Sequence, residues 1–516
     1  MSIKRIFHDP IHKEIVFDAG KPEELMIMEL IDTVAFQRLR RIKQLGAASL
    51  LFHGAESSRF THSIGVFCIA RKIYKRLIES KSSFCENKFV LYGAALLHDL
   101  GHGPLSHTSE TIFEHDHEQW SENLVTNYPP INSILKKYDK ELPRKISELF
   151  QSKQLFSKPL KTLISSEIDC DRLDYLLRDS YNTGTNYGLV DLERIISALT
   201  FLPDGNIGIK PKGVIAIEHF LVLRNLMYRT IYNHRINEIS TWILEKILHT
   251  IKHNYEKNIW LDNSLHKWIF SPSKVDFDDF IRNDDVTFYY HLIRWKDESF
   301  EPLSTLCKMF IDRDLLKASD ISFLSKINRL KILAFATKLC EKNGYDSEIF
   351  CGIKERSFKG FESNNALNIW DGTYQSALEN SSALIKTLMR SEESSFIIYP
   401  GMIKNEIKNE MFKLNLMVHE HESNEKIANN TDIYIVDTYG ELNKFYKISN
   451  IVFMGGSLIK HGGQNPLEPA KHGCKIIHGP YVGNFTEIYT KLNKMKISTK
   501  FNTYKKGIKI IDKEFK

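Results

Sequence analysis

Apolar residues at three- and four-residue steps predict helices along much of the chain. The plainest is VLYGAALLHDLGHGPLSH, Val90 to His107, where Leu91, Ala94, Ala95 and His98 share one face. Gly101, Gly103 and Pro104 end that helix just beyond His98-Asp99. Ser57 to Glu79 carries a stripe of Ile64, Phe67, Cys68, Ile73, Leu77 and Ile78, with Thr61 as the expected cap. Ile164 to Ser180 puts Ile168, Leu173, Leu176 and Leu177 on an apolar side. Ile27 to Gly46 reads as helix capped at Asp32 and Thr33, and Val214 to Ile251 as one long helix. Ahead of these, Asp9-Pro10 predicts a turn and Glu14 to Phe17 a short strand. From His253 to Arg390 the pattern is helix-rich and charged, with no chemical motif. At Ser391 it changes. SFIIYP, TDIYIVD, NIVFMGG and KIIHGP are short apolar runs alternating with loops and helices, the pattern of a parallel α/β sheet.

Composition adds bounds. A chain of 516 residues with 42% apolar content holds two or more domains with sizeable cores. The net charge of +6 is mild for this length and does not indicate nucleic-acid binding. Seven scattered cysteines without a CxxC pair fit a reducing compartment and exclude a zinc ribbon. MSIKRIFHDPIHKE lacks the apolar core of a signal peptide, and no apolar run is long enough to span a bilayer. The expectation is a cytoplasmic protein.

The chemistry lies where polar groups interrupt apolar helices. A lone His62 in a first helical turn is ordinarily a satisfied polar residue. Arg38, Arg40, Arg41 and Lys43 read first as a solvated face, and EHDHEQW (Glu114 to Trp120) as an exposed loop. A buried helix ending in His98-Asp99 is different, because buried charges need partners. So is a helix whose apolar side is crowded by Asp169, Asp171, Asp174 and Asp179. Together His62, His98, Asp99 and Asp171 offer two imidazoles and two carboxylates on three helices. Such a donor set suits iron, manganese, zinc, cobalt or nickel, with magnesium less favoured, and leaves coordination positions open for water. The implied chemistry is metal-assisted hydrolysis.

At these residues the chain resembles the HD-superfamily phosphohydrolases, specifically the dNTP triphosphohydrolase branch. The matching runs are DPIH (Asp9 to His12), FQRLRRIKQLG (Phe36 to Gly46), RFTHSIGV (Arg59 to Val66), LLHDLGHGPLSH (Leu96 to His107), HEQWS (His117 to Ser121) and DCDRLDYLLRD (Asp169 to Asp179). The resemblance implies His62, His98, Asp99 and Asp171 as ligands of a divalent metal ion. It implies His102, His107 and His117 around the reacting centre, with His117 as general acid and Glu110, where the family usually has Asp, orienting it. Gln44, Arg59, Arg172, Tyr175, Asp179, Arg224 and Tyr232 would hold a nucleotide substrate. Attack at the α-phosphorus would release nucleoside and tripolyphosphate. The resemblance further implies a nucleotide effector near Asp9 and a homo-oligomer.

A second stretch, Thr431 to Ile488, resembles the C-terminal half of a 3-deoxy-D-manno-octulosonic acid (Kdo) transferase, a GT-B glycosyltransferase. Gly440-Glu441-Leu442, Gly455, Gly456, Ser457, Gly463, Asn465 and Glu468 carry it, on what would be the nucleotide-sugar side. Gln464 stands where that family has His, and no acceptor domain, membrane anchor or catalytic glutamate is recognisable. The expected architecture is a mainly α HD-type helical domain over 1–390 (core 1–250, accessory part 251–390). A smaller α/β Rossmann-like half GT-B domain is expected over 391–516. The expected function is nucleotide phosphohydrolysis, with glycosyl transfer as the alternative.

Overall fold

In the computed structural model the chain opens as a β-hairpin, Lys4–Asp9 paired antiparallel with Lys13–Asp18. Ile15 and Phe17 point into the core and alternate with more exposed Glu14 and Val16. The predicted strand is thus the second arm of a hairpin whose turn is Pro10-Ile11-His12. The structure describes residues 3–80, 82–150, 157–185, 187, 190–361, 367–415, 418–420, 433–435, 442–503, 506–507 and 510.

Three helices make the centre of the first unit, Arg59–Ile78, Lys88–Leu97 and Cys170–Thr183. The first is capped by Ser58, whose hydroxyl accepts the Thr61 amide, rather than by Thr61 itself. Every residue from Val90 to Leu97 is buried, as the unbroken apolar run requires. Phe60 and Phe67 of the first helix pack against Phe36 and Phe17, each buried ring contributing roughly 1.5–3 kcal/mol. The Arg59–Ile78 and Cys170–Thr183 helices close tightly at Gly65, where a Cβ would lie 2.0 Å from Asp174 Oδ1. Glycine there is a condition of the buried polar contacts described below.

Three predicted helices are broken. Ile27 to Gly46 divides into the end of Pro22–Ile31, a short Val34–Arg38 helix capped by Thr33, and a 3-10 turn at Leu39–Arg41. Ile164 to Ser180 is split: Lys158–Ile164 stops, and Asp169 caps a new helix by accepting the Arg172 amide at 2.7 Å. Val214 to Ile251 divides into Val214–Met227, a π turn at Tyr228–Tyr232, and Arg235–His253. Beyond these the accessory part adds helices and two small sheets. One orders Leu199–Phe201, Ile207–Ile209, Asn368–Trp370 and Gln375–Ala377. In the other, Ser391–Tyr399 lies between Lys317–Asp320 and Gly352–Lys359, antiparallel to both.

That strand moves the boundary. The chain divides into Met1–Leu414 and Asn415–Lys516, so Ser391–Tyr399 belongs to the first unit instead of opening the second. A short apolar run looks alike in either role; its antiparallel partners decide. In the second unit Ile451–Phe453, Lys475–His478 and Ser498–Lys500 form a three-stranded parallel sheet with helices between them. Val418–Glu420 and Ile433–Ile435 form a separate parallel pair. The described part is a small α/β unit and does not establish half a GT-B domain. Gly440 and Glu441 lie outside the described residues. No described helix is long and apolar enough to cross a membrane.

Candidate metal centre and active-site cleft

The three central helices bring His62, His98, Asp99 and Asp171 together. His62 Nε2 lies 2.9 Å from Asp171 Oδ1 and 3.4 Å from Asp99 Oδ2. His98 Nε2 lies 3.3 Å from Asp99 Oδ1 and 3.6 Å from Asp171 Oδ1. One donor atom each from His62, His98 and Asp99 falls within a 4.8 Å cluster.

The outer bonds set the tautomers. His62 Nδ1 meets Asp174 Oδ2 at 2.8 Å, and His98 Nδ1 meets the Ala95 carbonyl at 3.0 Å. An Nδ1–H donated to an acceptor leaves the Nε2 lone pair for a cation. Both Nε2 atoms are buried and make no hydrogen bond. Buried polar atoms are seldom left so. Two orphaned imidazole nitrogens facing two carboxylates fit a divalent cation. Burial works against the charged His62 ring, but the Asp171 and Asp174 carboxylates facing its two nitrogens outweigh it and raise it to about 10. A cation here therefore displaces a proton.

Asp174 anchors the arrangement. Besides His62 it accepts from His12 Nε2 at 2.6 Å and from Arg178 Nε and Nη2 at 2.8 and 3.0 Å. Burial alone would raise this carboxyl, yet Arg178 and the imidazole hydrogen bonds hold it well below the carboxylate range. Arg178 Nη1 reaches Asp9 Oδ2 at 2.9 Å, and Asp9 Oδ1 accepts the amides of Ile11 and His12. Both Asp9 oxygens are thus engaged within the fold.

Beside the first cluster stand His102, His107, Glu110 and His117, which also place one donor atom each within 4.8 Å. Glu110 Oε1 lies 2.8 Å from His107 Nδ1 and 2.9 Å from His117 Nδ1. The His102 and His117 rings stack at 4.0 Å. Burial, then the charges of Arg59 and His117, push His102 well below its ordinary range, so it is neutral. Burial also disfavours charge on His117, but its Glu110 hydrogen bond prevails and raises it. Of the two stacked rings, His117 is the one on which positive charge is favoured. The longer Glu110 side chain still reaches His117 Nδ1.

A cavity of about 560 Å³ opens from this centre, lined among others by Gln44, Arg59, Arg172, Tyr175, Asp179 and Tyr232. A second of about 200 Å³, lined by His98, Asp99, His102 and His117, shares Gln44, Arg59, His107, Asp171, Arg172 and Tyr175 with it. Arg59 Nη1 holds Asp99 Oδ2 at 2.5 Å. Asp179 accepts the Tyr232 hydroxyl at 2.8 Å, and burial raises its carboxyl to about 7. The π turn presents both Tyr228 and Tyr232 to the cavity. Arg224 does not line it. Its guanidinium pairs with Glu167 and reaches the Gly360 carbonyl at 3.5 Å.

Several participants escaped the sequence reading. Asp174 was recognisable as one of four crowded aspartates, but its role needed His12 beside it. Arg356, Asn233, Asn237 and Thr241 complete the cavity wall, and no spacing pattern connects them to the histidines. In the second unit, Gly455, Gly456, Ser457, Asn465 and Glu468 do not form a lined site. Ser457 is fully buried, donating to the Met454 carbonyl at 2.5 Å and accepting the Gly479 amide at 2.9 Å. Asn465 caps the Leu467 amide at 3.1 Å. A cavity of about 460 Å³ in that unit is lined by Lys460, His478, Tyr489 and Lys500, and by none of those five.

Comparison with known proteins agrees with the geometry. Residues 59–179 match the HD domain and residues 190–425 the HD associated region. The YwfO protein of Bacillus subtilis (strain 168) is 37% identical over 319 residues, 61% of this chain and 72% of that protein. The chain belongs to this family of HD-domain proteins with an HD associated region. The deoxynucleoside triphosphate triphosphohydrolase SAMHD1 homolog of Dictyostelium discoideum is 33% identical over 228 residues, 41% of this chain and 44% of that one. A crystal structure of a phosphohydrolase (BT4208) from Bacteroides thetaiotaomicron VPI-5482 superposes with a TM-score of 0.67 at 25% identity, covering 77% of this chain and all of that one. Neither matched family is a glycosyltransferase, and a Kdo-transferase reading of the second unit has no support.

Proposed function

We propose that the chain is a metal-dependent phosphohydrolase that cleaves (deoxy)nucleoside triphosphates to nucleoside and tripolyphosphate. The observation that carries this reading is the pair of orphaned Nε2 atoms, on His62 and His98, beside a cavity lined by Arg59, Arg172 and Arg356 and closed by Asp179 and Tyr232. Likeness to relatives named as triphosphohydrolases supports it.

His62, His98, Asp99 and Asp171 would hold the divalent ion, which supplies Lewis acidity and screens phosphate charge when bound. The remaining work falls to the protein. Arg59 and Arg172 match phosphate oxygens with planar donor forks. Asp179 and Tyr232 offer hydrogen bonds to a sugar hydroxyl. Water oxygen joins the α-phosphorus, losing a proton to solvent, as the bond to the nucleoside 5′-oxygen breaks. His117, protonated and held by Glu110, donates its proton to that leaving oxygen, and neutral His102 packs against its ring. An effector at Asp9 is not part of this reading.

The test is incubation with each of the four dNTPs in Mn²⁺ and separately in Mg²⁺, with products followed by chromatography. Deoxynucleoside plus tripolyphosphate is expected. Release of no phosphate species under either metal overturns the proposal.

A further inference from the structure

The catalytic loop between His102 and His107 is strained. Leu105 and Ser106 have φ values of 61° and 56°, left-handed conformations that non-glycine residues rarely adopt. Such geometry persists only where the surroundings over-determine it. Here they do so from a distant stretch, Asn283-Asp284-Asp285, within the HD associated region.

Asp285 is buried and bonded on both oxygens. Its Oδ1 accepts the Leu105 amide at 2.7 Å, and its Oδ2 accepts the Lys43 amide, next to Gln44, at 2.9 Å. The two backbones it joins are close. A Cβ on Gly46, at φ 49°, would lie 2.5 Å from the Leu105 carbonyl oxygen. The Asn283 carbonyl accepts Arg38 Nε and Nη2 at 3.2 and 2.6 Å, and Arg38 Nη1 donates to the His102 carbonyl at 2.8 Å. Both ends of the segment His102–Leu105 are therefore fastened to one short stretch. The hold continues into the site: Ser106 Oγ donates to the Lys43 carbonyl at 2.5 Å and accepts Arg59 Nε at 2.8 Å. Arg59 in turn holds Asp99.

We infer that Asp285 is a positioning residue for the reaction, acting as a clasp that places His102, His107 and Arg59 against the metal ligands. It touches no reacting atom. The accessory region thereby acquires a role in catalysis, not only in stability.

The test compares Asp285→Ala, Asp285→Asn and Asp284→Ser in the full chain. Asp284 pairs with Arg41 and caps the Thr287 amide, a cap that serine retains. With metal content unchanged, Asp285→Ala is expected to lose about 100-fold in kcat with KM little altered, since small misplacements of catalytic groups cost this much. Asp285→Asn, which keeps one acceptor oxygen, falls between it and wild type and serves if the alanine variant does not fold. Asp284→Ser keeps the wild-type kcat. Hydrogen exchange over 102–109 is expected to accelerate locally in the Asp285 variants. Wild-type kcat with undisturbed exchange in these variants overturns the inference, as does an equal kcat loss in Asp284→Ser. The kinetic readout rests on the proposed function. If the wild-type chain hydrolyses no nucleotide, that function falls, and the exchange readout still decides the clasp.

Discussion

In the first unit the motif side chains keep bonding capacity in reserve. His62 and His98 each satisfy Nδ1 within the protein and leave a buried Nε2 without a hydrogen-bond partner. In the second unit the motif side chains are used up locally. Ser457 bonds Met454 and Gly479, and Asn465 caps its own turn. Both stretches read as motifs from their residues alone. The lesson is that a motif marks chemistry where its polar atoms remain unsatisfied beside a cavity, and marks a turn where they do not.

The sharpest way to break this contrast is to remove a reserved atom. Asp171→Asn or His98→Ala is expected to abolish hydrolysis and bound metal, read by elemental analysis, while circular dichroism stays unchanged. Full activity in either variant would end the metal assignment. The next effect comes from the anchor. Asp174→Asn is expected to lower metal affinity about 10- to 100-fold in chelator competition. It should also lower the melting temperature, because Arg178 loses a buried counter-charge.

Acid gives a third, smaller effect. Burial, helped by Arg38, pulls His115 down to about 4, although its hydrogen bond to the Gly101 carbonyl opposes this. Its neutral form is the folded form. The stability it contributes is complete above its ordinary value near 6.5 and is lost as pH falls through about 4, at most about 3 kcal/mol. Thermal melts from pH 7 to 4 should show a flatter profile for His115→Gln than for wild type. An identical profile would show that His115 is not the sensing group. Smallest of all, Asn465→Ala combined with Glu468→Gln is expected to leave hydrolysis and nucleotide binding unchanged by calorimetry. A loss there would bring the second unit's motif into function.

Much of the centre was legible because helices convert spacing into proximity. His62, His98-Asp99 and Asp171 each sit at or near the end of a patterned helix, and three packed helix ends make one site. Less was legible where proximity comes from chain return. Asp285 sits in a region with no motif, and nothing local distinguishes its carboxylate from a helix-cap neighbour. Arg224 lies on a helix beside the site, yet its partner Glu167 turns it into a buried ion pair. The strand Ser391–Tyr399 carried the right local signal and the wrong neighbours, since pairing with Lys317–Asp320 and Gly352–Lys359 spans long separations. Periodicity reports what a segment is; it does not report whom it meets.

The π turn has a consequence for length variation. The Asn233 amide bonds the Tyr228 carbonyl, five residues back, at 2.8 Å, so this stretch holds one residue more than an α-helix would. Removing a single residue between Tyr228 and Tyr232 would restore regular winding and leave the following side chains in nearly the same direction, because the wide turn takes up its extra residue locally. The change would be confined to the cavity wall at the turn itself, where Tyr228 and Tyr232 stand. A one-residue gap in a relative at this point therefore signals a reshaped cavity wall and not a shifted helix beyond it.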